Sequence, residues 1–61
     1  MKVYPTAQLC GDRMSQLKRE APEFVHLAYE LASGGWVIGR FVRVKRKEAI
    51  GETFHLPVAI L

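Results

Sequence analysis

The sequence predicts an α+β domain: two short helices, or one helix kinked at Pro22, packed on a C-terminal antiparallel β-hairpin, with room for a short N-terminal strand. Three observations carry that expectation. The apolar or small residues Cys10, Met14, Leu17, Ala21, Phe24, Ala28 and Leu31 recur every three or four positions, which is the stripe of a helix face. Gly34-Gly35 then breaks the pattern, as glycine does where a chain must turn. Beyond it the segments 36–46 and 53–61 are rich in β-branched and aromatic residues at a period of two.

Each element follows from local chemistry. Lys2-Val3-Tyr4 is the candidate first strand, closed off by Pro5. Thr6 and Asp12 are both N-cap candidates, since their side-chain oxygens can take free N–H groups of a first turn. A first helix is expected over about 12–20. Pro22 offers no N–H to Lys18 and turns Ala21 out of the α region, so a second helix is expected over 22–33, with Pro22 at its first position and Glu23 near its positive end.

In the hairpin, Trp36, Ile38, Val42 and Val44 share a face with Arg40 as the exception, and Phe41 points the other way. Gly39 marks an expected bulge. Residues 47–52 read as the loop, with Gly51 at positive φ. In the last strand Phe54, Leu56, Val58 and Ile60 form an expected core side, and Pro57 marks an edge. The chain ends on Val58-Ala59-Ile60-Leu61, an apolar terminus that calls for cover by the fold or by a second copy in a homodimer.

Sixty-one residues make one domain, and a small one. An apolar content of 49% with 25% charged residues excludes a disordered chain. The single Cys10 excludes an internal disulfide, and no Cys/His spacing matches a zinc site. No apolar run approaches the length of a membrane span and no signal-peptide core is present, so a reducing, cytoplasmic setting is expected.

Charge is the most informative functional signal. The segment 36–47 carries Arg40, Arg43, Lys45, Arg46 and Lys47 and no acid, whereas the rest holds four Lys or Arg against six Asp or Glu. A +5 segment on a mildly acidic body points at an anionic target. Arg40, Phe41, Arg43, Lys45, Arg46 and Lys47 are the expected partner-binding residues, with Trp36, Pro57, Ala59 and Leu61 as further interface candidates.

Competing chemistries are weak. His26 and Glu30 would share a helix face and His55 could join them, but a helix-surface contact explains the pair without a metal. Cys10 sits in the apolar stripe, where cysteine is a small filler rather than a nucleophile. No enzyme, cofactor or metal is expected. The helix 22–33 lacks Lys and Arg, which argues against a winged-helix reader. The expectation is a non-enzymatic protein-binding module, an inhibitor or adaptor that docks its basic hairpin and exposed apolar surface on a larger acidic protein. Short, cysteine-poor chains of this kind are common among phage and mobile-element products, an analogy from size alone. The alternative is a nucleic-acid-binding accessory protein whose hairpin lies along the phosphate backbone.

Overall fold

The computed structural model describes residues 1–45 and 53–61. One helix, α1 (Ala7–Glu20), is followed by three strands, β1 (Val25–Glu30), β2 (Trp36–Lys45) and β3 (Thr53–Ile60). The strands form one antiparallel sheet in the order β1-β2-β3, and α1 packs across β1 and β2. The α+β class holds.

Thr6 caps α1, its hydroxyl accepting the N–H of Leu9 at 3.2 Å, so the helix begins a turn and a half earlier than Asp12 would start it. It stops at Glu20, before the Ala21-Pro22 step that proline disallows. Cys10, Met14 and Leu17 turn inward, and with Ile38 of β2 they make the centre of the core. Tyr4, Trp36 and Leu61 pack around it.

The expected second helix is a strand. The stripe Ala21-Phe24-Ala28-Leu31 is accompanied by a second pattern, Val25, Leu27 and Tyr29 alternating with His26, Ala28 and Glu30, and that period of two is the one the fold uses. Pro22 ends α1 rather than opening a new helix, because an extended β1 can pair with β2 from Trp36 to Phe41 while a second short helix would leave the hairpin two-stranded and marginal. Gly34 (φ 96°) and Gly35 (φ 89°) do take the left-handed conformation, but they close the β1–β2 turn. In that turn the Leu31 N–H donates to the Gly35 carbonyl at 2.9 Å, and the Gly34 N–H to Leu31 at 3.0 Å.

The N-terminal segment is no strand but makes an isolated bridge. Tyr4 and Trp36 exchange N–H···O bonds of 2.8 Å, and the Lys2 N–H donates to the Leu61 carbonyl at 3.2 Å. Leu61 in turn donates to Ile38 at 2.8 Å, which ties both ends of the chain to β2. The hairpin β2–β3 matches its expected bounds within a residue; its loop, with Gly51, lies outside the described residues.

The bulge falls on β3 instead of at Gly39. Arg40 pairs with Ala59 and Phe41 with Pro57, so Val58 is the extra residue. Arg40 therefore stays in phase with Ile38, while the apolar row of β3 changes phase: Leu56 pairs with Val42 on the helix side and Ile60 with Gly39 on the opposite side. The expected core side of β3 is consequently open, with Leu56 51%, Val58 52% and Ile60 52% exposed. Length adds to this. A 14-residue helix is about 21 Å long, whereas the ten residues of β2 extend about 33 Å, so α1 covers only part of one sheet face.

Candidate functional site

The two faces of the sheet differ sharply. On the helix side lie Trp36, Ile38 and Arg40 of β2 with His26 and Ala28 of β1. No element covers the other side among the described residues. It carries Leu27 and Tyr29 of β1, Val37, Gly39, Phe41 and Arg43 of β2, and His55, Pro57 and Ile60 of β3.

Gly39 organises this open face. A Cβ there would stand 2.9 Å from the Phe41 ring and 3.1 Å from the Tyr29 ring, so both rings lie down over the glycine, centroids 6.4 Å apart. The sequence reads Gly39 as a bulge; its use is to leave room on the strand for two aromatic rings tilted 57° to each other. Val37 on the same face is buried, and Leu27 and Tyr29 stay 40% and 43% exposed.

The expected basic row separates into parts. Arg40 turns away from the open face: it is half-buried on the helix side, its Nε–H donating to His26 Nε2 at 3.1 Å and its guanidinium lying 4.8 Å from the Phe24 ring centroid. It points inward because its cross-strand partner is His26, an acceptor, and because Phe24 supplies a π face. Phe41 and Arg43 do reach the open face, Arg43 exposed. Lys45 follows two residues on in β2, and Arg46 and Lys47 lie outside the described residues.

The interface candidates divide likewise. Trp36 and Leu61 pack against the core and are half-buried. Pro57 and Ala59 are exposed on β3. Pro57 fits there because its partner Phe41 bonds toward β1, which leaves the proline nitrogen facing the outer edge where no ladder bond is required.

His26 is the residue the sequence undervalued. Only 4% exposed, it receives the Arg40 donor on Nε2, so its proton resides on Nδ1, and Nδ1 has no hydrogen-bond partner among the described residues. Burial holds its pKa below the ordinary histidine value, and Arg40 and Lys18 push the same way against Glu23. A cavity of about 350 Å³ adjoins it, lined by Lys18, Pro22, Phe24, Val25, His26, Leu27 and Arg43. The helix spacing that joined His26 to Glu30 does not exist in β1, and no group of three potential metal ligands forms among the described residues. Cys10 is buried, which raises its thiol pKa and keeps it protonated. No helix of the described residues is long and apolar enough to cross a membrane.

Comparison with protein-family models, with curated proteins and with solved structures found no match to this chain.

Proposed function

We propose that this chain is a non-enzymatic protein-binding module that docks the open face of its sheet on a larger acidic protein, as an inhibitor or adaptor does. The observation that carries the reading is the uncovered face, where Leu27, Tyr29, Phe41, Pro57 and Ile60 form an apolar field with Arg43 on its flank. Aromatic and arginine side chains on an apolar ground are what protein interfaces concentrate at their centres. The basic residues from Arg43 to Lys47 supply charge complementarity, which speeds encounter and fixes register. The same reading includes a cytoplasmic setting, in which the unpaired Cys10 stays reduced.

A nucleic-acid reading has one specific observation behind it: Tyr29 and Phe41 side by side on an open sheet, with Arg43 beyond them, suit stacking of single-stranded bases. It ranks second because aliphatic Leu27 and Ile60 occupy most of the remaining field and Arg40 is withdrawn from it.

Salt separates the two. A fluorescent single-stranded oligonucleotide titrated at about 50 mM and about 200 mM salt binds with a steep loss between them if phosphates are the target. The protein-docking reading predicts no saturable binding in that assay and one stoichiometric protein retained from nuclease-treated lysate. Binding that disappears with nuclease overturns it. A dimer of this chain in sedimentation at micromolar concentration, with no other protein retained, also overturns it by assigning the face to a second copy.

A further inference from the structure

We infer that the free edge of β1 accepts an extended strand from the partner, and that the cavity at the start of that edge holds an acidic side chain of the incoming strand. This rests on the protein-docking reading and specifies its contact.

The register determines which backbone groups are free. Leu31 and Gly35 are a hydrogen-bonded pair, so residues 25, 27 and 29 bond to β2, while the N–H and C=O groups of His26, Ala28 and Glu30 turn away from the sheet; His26 is buried, and Ala28 and Glu30 are exposed. Trp36, opposite Glu30, confirms the alternation by bonding to Tyr4 on its other side. No strand lies beyond β1, and none of those three N–H groups has a backbone partner among the described residues. The sheet's other edge is blunted: β3 presents Pro57 outward, with no N–H to offer. Strand addition is therefore favoured at β1, where Ala28 and Glu30 offer exposed donors and acceptors.

The cavity names the chemistry at one end of that site. Val25, His26 and Leu27, consecutive residues of the edge strand, line it, with the cationic Lys18 and Arg43 on its two sides. Both cations are exposed, and neither has a carboxylate within ion-pair distance among the described residues. Glu23 is the acidic neighbour; it is exposed and is outnumbered by Lys18, Arg40 and Arg43. A side-chain carboxylate carried on the added strand balances the charge of Lys18 and Arg43, as charge-assisted hydrogen bonds do best.

The test uses the whole ¹⁵N-labelled protein and three probes: N-acetyl-Val-Glu-Val-amide, its Gln counterpart and sodium acetate. The Glu peptide is expected to give saturable shifts at Val25, His26, Leu27, Lys18 and Arg43 in the millimolar range, and to slow hydrogen exchange of the Ala28 and Glu30 amides. The Gln peptide is expected to bind about tenfold more weakly, from loss of the charge-assisted contact. The double variant Lys18→Gln, Arg43→Gln, altered only at exposed positions, is expected to reduce the Glu peptide to the Gln level. Equal binding of the two peptides overturns the acidic preference. Acetate shifts with no amide protection by either peptide, or no saturable shift at all, overturn strand addition. A partner retained through Leu27 and Ile60 with the β1 amides unprotected would leave the docking proposal standing and remove this one.

Discussion

Arg40 and Arg43 are three residues apart in one basic strand, yet the fold gives them opposite roles, and the same substitution at each measures the difference. Arg40→Met keeps the alkyl stem against the core and removes the guanidinium. The change leaves the buried His26 Nε2 without its donor, which costs about 1–3 kcal/mol, and removes a cation–π contact with Phe24 worth about 0.5–1 kcal/mol. Relief of a half-buried charge with no acidic partner offsets part of this, so a net loss of about 2 kcal/mol is expected. For 61 residues the whole stability is about 3–9 kcal/mol, so the loss is a large share of it. Urea denaturation followed by the fluorescence of Trp36, which packs on the core, reads this directly. With a slope of about 1 kcal/mol per molar, the midpoint falls by about 2 M. Arg43→Met, on the exposed face, is expected to move stability by no more than about 0.5 kcal/mol. Equal midpoints for the two variants would refute the assignment of Arg40 to the interior.

Three further outcomes follow from the same geometry. His26 has a folded pKa below its ordinary value of 6.5, so the unfolded chain binds a proton that the folded one refuses. Its contribution to stability is complete above about pH 6.5 and is lost as the pH falls below it, by at most about 1.4 kcal/mol per pH unit, and the slope in urea midpoints between pH 7.5 and 5.5 should flatten in His26→Gln. Gly35→Ala forces a side chain into positive φ and places its Cβ 2.6 Å from Val3 Cγ1 and 3.3 Å from the Tyr4 carbonyl, whereas nothing lies within 4 Å at Gly34. Thermal melts should therefore show a larger loss for Gly35→Ala than for Gly34→Ala, which bears only about 1–2 kcal/mol of backbone strain. Cys10, buried with a raised thiol pKa, should react with a disulfide reagent far more slowly in the folded protein than in urea, the rate rising along the unfolding curve.

The parts of this fold that obey one rule at a time were legible in the sequence. The inward row of α1 from Cys10 to Leu17 is a plain helical stripe, and β2 announces itself by alternation from Trp36 onward. Residues 24–31 satisfy two rules at once. Phe24, Ala28 and Leu31 sit at helical spacing while Val25, Leu27 and Tyr29 alternate, and only the gain from pairing with β2 decides between them. The place of Arg40 turns on that choice. A helix over 22–33 gives His26 no reason to meet Arg40 and leaves Arg40 among the surface cations. The phase change at Val58 was illegible for a different reason: Pro57 flags an edge, but an extra residue on one strand shows only once its partner's register is known. The aromatic layer over Gly39 needed β1 as well, since Tyr29 reaches it from there.

The central claim is that the open sheet face, and not the helix side, carries the partner. The most direct measurement compares capture from nuclease-treated lysate by the tagged wild type, by Leu27→Glu with Ile60→Glu, and by Gln8→Glu on the exposed side of α1. Leu27 and Ile60 are 40% and 52% exposed, so the double variant is expected to fold and to lose the stoichiometric partner, while Gln8→Glu retains it. Retention by a folded Leu27→Glu, Ile60→Glu variant, or loss with Gln8→Glu alone, would contradict the account.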